Sequence, residues 1–203
     1  MRINPIRLVL GAALAGLLVV QPVAAQGTEK GDVSFGYQFL NLSASDESQS
    51  MPAGWFVDVA GNLNRSVAAV AQFGGNYKSL SESVAVGGVT ASANADVRLH
   101  QFMGGVRVSA HPSPTVSPFV HILAGATYGS VSYSGTGSIA GQTVFAMSGA
   151  DSGTNFALQT GGGTNIWMTR TVGLRIGVDY VRIFETDNGA NVFRFGAGVG
   201  FKF

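Results

Sequence analysis

A chain of 203 residues with 29 glycines, 46% hydrophobic residues and only 11% charged ones departs from the usual make-up of a water-soluble domain. Its 12 basic and 11 acidic residues nearly cancel, which excludes the basic stripe that a nucleic-acid partner requires. The absence of cysteine means that no disulfide holds the fold.

Residues 1–25 read as a cleaved signal peptide. Arg2 and Arg7 precede an apolar run from Leu8 to Val20, and Val23, Ala24 and Ala25 supply small residues for cleavage after Ala25. Removing this segment leaves 10 basic and 11 acidic residues in the mature domain, residues 26–203. No later stretch is long and apolar enough for a transmembrane helix, yet mean hydropathy is positive. A closed barrel is the remaining way for such an exported chain to span a membrane.

The segments that follow alternate with period two, which places successive side chains on opposite faces of a strand. In 32–41, Val33, Phe35, Tyr37 and Phe39 oppose Ser34, Gly36 and Gln38. The pair 54–63 and 67–77 sets Trp55, Val57, Ala71 and Phe73 against Asp58, Asn62, Gln72 and Asn76. In 97–109, Phe102, Val106 and Val108 oppose Gln101 and Arg107, and in 116–128, Val120 and Ile122 oppose His121. In 154–167, Phe156 and Leu158 oppose Gln159, and in 172–182, Leu174, Ile176 and Val178 oppose Arg175 and Asp179. The last strand, 193–203, sets Phe193, Phe195, Phe201 and Phe203 against Arg194 and Lys202. The expected fold is therefore all-β, an eight-stranded antiparallel up-and-down transmembrane barrel. Short connections (64–66, 110–115, 168–171) alternate with stretches 42–53, 78–96, 129–153 and 183–190, mostly longer, which read as loops. Short turns belong on the periplasmic side and longer connections outside.

The signal peptide, the alternating C-terminal strand ending in Phe203, and the late Asp179-Tyr180 pair carry a resemblance. From about Gly31 to Phe203 the chain resembles the small eight-stranded outer-membrane barrels related to the OmpA transmembrane domain and OmpX. The resemblance implies a bacterial outer-membrane location and an assembly signal in Phe201 and Phe203, read by the barrel-assembly machinery. It brings no peptidoglycan-binding domain, so a wall-anchoring role is not expected.

Charged residues on the inward parity escape lipid, where an Arg or Lys at mid-bilayer costs about 2–4 kcal/mol. Asp58, Arg107, His121, Arg175, Asp179 and Arg194 are the expected lumen network, with Asp179 and Arg194 predicted to pair rather than to be hydrated separately. Tyr37, Trp55, Tyr77, Tyr128 and Tyr180 fall near outer strand ends, as interfacial aromatic rings do. Arg98 and Arg182 share the lipid-facing parity at the outer limits of their strands. They are candidate contacts for lipopolysaccharide phosphates, or else solvated rim charges.

The three histidines, His100, His111 and His121, lack metal-ligand spacing, and Gly161-Gly162-Gly163 is followed by no Lys-Ser or Lys-Thr of a phosphate loop. No cofactor and no catalytic residue is expected. The leading functional reading is a structural, envelope-integrity or adhesion-type barrel that meets a host or surface ligand through its outer loops. The alternative is a narrow pore for small solutes, opposed by the inward Arg107, Arg175 and Phe119; a lipid-modifying enzyme ranks below both. A periplasmic lipocalin-like barrel would need the opposite polarity, apolar inside and polar outside.

Overall fold

The computed structural model describes residues 29–44, 47–110, 113–185 and 189–203, with the side chains of 43–48 excepted. The proposed signal peptide and His111 lie outside the described residues. No helix among those residues is long and apolar enough to cross a membrane.

Nine antiparallel segments form one sheet: β1 (Gly31–Ala44), β2 (Glu47–Met51), β3 (Ala53–Asn62), β4 (Val67–Val86), β5 (Val89–Ser109), β6 (Val116–Ile139), β7 (Gln142–Trp167), β8 (Val172–Phe184) and β9 (Ala190–Lys202). β1 pairs with both β2 and β3, each strand from β3 to β8 pairs with the next, and β1 pairs with β9 from Asp32↔Lys202 to Ser43↔Asn191, which closes the ring. β2 and β3 occupy one position in that ring, since both pair with the same edge of β1. The eight-stranded barrel is therefore correct, with its second strand split. Pro52 is the reason: it has no N–H to give to the ladder, so pairing lapses between Met51 and Ala53.

Alternation follows the expected faces. On β9, Phe193 and Phe195 are exposed while Arg194, between them, is 4% exposed. The same contrast separates Ile176 and Val178 from Arg175 and Asp179 on β8, and Val120 and Ile122 from His121 on β6. Across the closing seam, the Phe35 and Phe201 rings stack on the outer face with centroids 5.8 Å apart.

At the end carrying Gly31 and Lys202, side chains fix the short turns. Asn64 Oδ1 accepts from the Ser66 and Val67 amides at 2.8 Å each, and Thr169 Oγ1 accepts from the Val172 amide at 2.9 Å. Ser113 Oγ accepts from the Val116 amide at 3.0 Å. Short polar side chains of this kind replace the missing ladder partners of a turn.

The opposite end corrects the loop reading of most of 42–53, where β1 runs on to Ala44 and β2 pairs back on it, and of 78–96 and 129–153. These stretches continue the strands: β4 pairs with β5 as far as Val86↔Val89, and β6 with β7 as far as Ile139↔Gln142. Gly87 and Gly88 turn the first hairpin with φ of 59° and 82°, and Ala140 and Gly141 turn the second with φ of 51° and 81°. Two central residues with positive φ match the right-handed twist of the flanking strands. Because β5 also pairs with β6 up to Val89↔Ile139, the two hairpins form one four-stranded outer sheet. Small Ser, Gly and Ala residues fit this sheet because it stands clear of the packed barrel.

Candidate functional site: a filled lumen beneath an outer sheet

The inward face places three guanidinium groups among three carboxylates, and all six groups are buried. In the layer nearer the short turns, Arg107 Nη1 donates to Asp32 Oδ1 at 2.9 Å, and its Nη2 donates to Asp58. Arg175 Nη2 reaches Asp58 Oδ2 at 3.2 Å from the other side. The guanidinium carbon of Arg175 lies 4.1 Å from the centre of the Phe119 ring, and that of Arg107 lies 5.2 Å away. Phe119 is thus an apolar floor that also stabilises both cations electrostatically.

The second layer is built on Asp179 and Arg194, direct partners in the β8–β9 register. Arg194 Nε donates to Asp179 Oδ2 at 2.8 Å, and Nη2 makes a further bond to the same oxygen. His121 Nε2 lies 2.6 Å from Asp179 Oδ1. Gln72 joins the layers: its Oε1 accepts from Arg194 Nη1 at 2.6 Å, and its Nε2 donates to Asp58 Oδ2 at 3.3 Å. Gln159 donates to the same Gln72 oxygen at 3.0 Å, and Gln38 donates to Asn76 at 2.5 Å nearby. The three guanidinium groups match three carboxylates, which offsets the cost of burying either set alone, while Arg107 Nε, Arg175 Nη1, His121 Nδ1 and Gln159 Oε1 find no hydrogen-bond partner.

Beside this network and on the side away from the short turns, the lumen carries an apolar cluster interleaved with the buried Asn76, Gln101 and Thr127. Leu40, Leu123, Val181 and Val192 are completely buried, and Met51 and Ile183 pack with them. Between the two ionic layers lies a cavity of only about 20 Å³, lined by Phe119, His121, Arg175 and Arg194 among others. That is room for roughly one water molecule. Below, a vestibule of about 860 Å³ is lined by Arg65, Asn165, Trp167 and Lys202, with Asp32 and Arg107 among its walls.

All six inward residues expected from the sequence therefore enter one connected cluster. Its other members, Asp32, Gln38, Gln72, Asn76, Gln159 and Phe119, also sit at inward parity, which was the available signal. The apolar layer was signalled too, by Leu40, Val181 and Val192 at inward positions. Phe201 lies on the outer face, and the Phe203 carbonyl accepts from the Lys30 amide at 2.8 Å across the closing seam.

Outside, the aromatic residues adjoin. Trp55 Nε1 donates to Tyr77 Oη at 3.3 Å, Tyr77 Oη lies 3.2 Å from His100 Nε2, and the His100 and Tyr128 rings are 6.5 Å apart. Tyr37 hydrogen-bonds through its hydroxyl to the Pro52 carbonyl. Arg98 is not at a strand end: it lies within β5, exposed, opposite Tyr77 and Ser130. Arg182 is half-buried near the end of β8, where Nη1 donates to Asn191 Oδ1 at 2.5 Å. The two arginines occupy different parts of the rim.

Among the described residues no three His, Asp or Glu side chains converge as a metal site. No curated protein sequence matches the chain. Solved structures share its fold at low identity. Ail, the attachment invasion locus protein of Yersinia pestis, aligns with a TM-score of 0.58 and 18% identity, covering 87% of this chain and 100% of Ail. A structure of Ail with the heparin analogue sucrose octasulfate gives a TM-score of 0.57 at 18% identity, covering 86% of this chain and 99% of that one. Neisserial surface protein A aligns with a TM-score of 0.54 and 14% identity, covering 88% of this chain and 100% of that protein. The family described as outer membrane protein beta-barrel domain matches residues 10–203, and the chain belongs to that family of the bacterial outer membrane.

Proposed function

We propose that this barrel acts at the cell surface, in envelope integrity or attachment, and that it is neither a solute channel nor an enzyme. The observation that carries the reading is the contrast between its two halves. The lumen is filled by a charge-balanced network and an apolar cluster interleaved with it, whereas a four-stranded sheet projects from the outer rim with large apolar side chains in the open. Extended apolar surface of this kind marks an interaction site. The fold shared with a protein named for attachment and invasion supports the same reading, although at 18% identity it lends only its architecture.

At the rim, Arg98 stands exposed on the lipid-facing parity at the height of the aromatic girdle, where its planar donors suit a lipopolysaccharide phosphate. Arg182 shares that parity but already gives one donor to Asn191, so it has less to offer.

The test is to shorten both hairpins, replacing 79–96 and 131–151 each by a two-residue Asn-Gly turn, and to compare cells carrying the intact and shortened barrels. Surface attachment should fall at least tenfold while the shortened barrel remains in the outer membrane. Unchanged attachment and unchanged detergent resistance would refute the proposal.

A further inference from the structure

The outer sheet keeps the side-chain alternation of the barrel but reverses its polarity. On the parity that faces lipid lower down, β4–β7 carry Ser83, Ser92, Ser134, Thr136 and Ser148, with Ser92 Oγ and Thr136 Oγ1 2.7 Å apart across the ladder. On the parity that faces the lumen lower down stand Val84, Val86, Val89, Ile139, Phe145 and Met147, each between 47% and 72% exposed. One face is thus wetted by hydroxyls and the other is apolar and uncovered.

The apolar face ends in a blunt double tip. The Ala140 amide donates to the Gly88 carbonyl at 2.8 Å, which ties the two turns together. A bulge between Gly137 and Ser138 leaves Val144 without a register partner, so Val144 and Phe145 are both exposed at the end. A Cβ at Gly137 would come within 2.0 Å of the Phe145 ring, so that ring lies down along the sheet in the space the glycine leaves.

The chemistry of this end selects its partner. No charged residue occurs from Ser83 to Ala95 or from Gly129 to Ala150. Between the strands the ladders run up to both turns, while the outer edges of β4 beyond Tyr77 and of β7 before Phe156 are open, so the hydrated interfacial zone and not the hydrocarbon can receive them. Nine residues separate Tyr77 in the girdle from Val86 at the tip, about 30 Å at the rise of a strand, which carries the tips away from the barrel's own bilayer. A surface that is apolar, uncharged and polar on its reverse suits the interfacial zone of a bilayer. We propose that the joined tips of the β4–β5 and β6–β7 hairpins dock onto the uncharged interfacial zone of an apposed lipid bilayer. The inference rests on the surface role proposed above and names the partner.

The cysteine-free chain permits single-site labelling. The full barrel, placed in nanodiscs, would carry an environment-sensitive fluorophore at Phe145→Cys on the apolar face or at Ser134→Cys on the hydroxyl face. Separate phosphatidylcholine vesicles containing spin-labelled lipid are then added. The probe at 145 should shift to the blue and be quenched at least twofold, and that at 134 should not respond. A Phe145→Ser, Ile139→Ser barrel, with its folded gel mobility retained, should bind the vesicles at least tenfold less. An unresponsive probe at 145, equal quenching at both sites, or undiminished vesicle binding by the double variant would overturn the assignment. If hairpin-dependent attachment of cells persists while 145 is silent, the surface role stands and the bilayer is the wrong partner, a surface protein being the class to pursue. If 145 responds but shortened hairpins leave attachment intact, the docking stands and the cellular role falls.

Discussion

Asp179 and Arg194 face each other across the β8–β9 ladder and are joined by two hydrogen bonds to a single carboxylate oxygen. Breaking a buried pair by removing one partner costs about 3–5 kcal/mol, because the other charge is left uncompensated. Asp179→Asn should therefore lower the temperature at which the barrel loses its folded mobility on a gel. Asp179→Asn combined with Arg194→Met should recover part of the loss. Equal losses in the single and double variants would count against the pair as a coupled unit.

The lumen should not conduct. In planar bilayers the intact barrel is expected to give no stable current steps, since Arg107, Arg175 and Phe119 fill one layer and Leu40, Leu123 and Val192 another. Opening a path requires both layers to be cut back. Arg175→Ser with Leu123→Ser and Val192→Ser should produce steps that none of the single changes produces.

Ile176 lies on the outer face between the inward Arg175 and Gly177, and it is 51% exposed. Arginine there would meet hydrocarbon, at a cost of about 2–4 kcal/mol near the bilayer centre. Ile176→Arg should lower the urea midpoint of folding into vesicles. Thr136→Arg on the outer sheet, at the same parity but above the girdle, should leave it unchanged.

Arg98 and Arg182 separate by their partners. If phosphate contact is the role of the rim, Arg98→Ala should reduce co-purified lipopolysaccharide more than Arg182→Ala does, because Arg182 is engaged by Asn191. Mass spectrometry of the purified barrel reads this directly.

Ala140 is the one non-glycine residue with positive φ among the described residues, at 51°. A Cβ in the left-handed region costs roughly 1–2 kcal/mol, a cost that asparagine bears more readily. Ala140→Asn should slow amide exchange in the β6–β7 tip by several-fold, with exchange around Asp58 unchanged.

Alternation within the bilayer was legible because lipid and lumen demand opposite side chains at every step, so Phe193 to Lys202 could be read residue by residue. The outer sheet was not, for two reasons. Above the girdle the polarity of the two faces reverses, and alanine and glycine interrupt the apolar set of Val84, Ile139, Phe145 and Met147. The turn itself was visible, since Gly87-Gly88 flanked by Val84, Val86 and Val89 is a hairpin signal. Pro52 likewise marked the split in the second strand. For the lumen, parity showed which residues point inward but not which of them meet. Asp179 and Arg194 could be paired because their strands adjoin. Arg107 reaches Asp32 and Asp58 from a strand adjoining neither, and such contacts depend on the stagger of the closed cylinder, which no single strand encodes.

The partnership of β1 with β9 has a kinetic consequence. The first strand to emerge is hydrogen-bonded, along one whole edge, to the last, and the Phe203 carbonyl completes that zip. Until then β1, with Phe35 and Tyr37 on it, has one open edge. Pairings between distant parts of a chain form late and slowly, and an unpaired edge invites strangers. Sealing the β1–β9 seam is therefore expected to be a slow step, and both edges need shielding from other chains until it occurs.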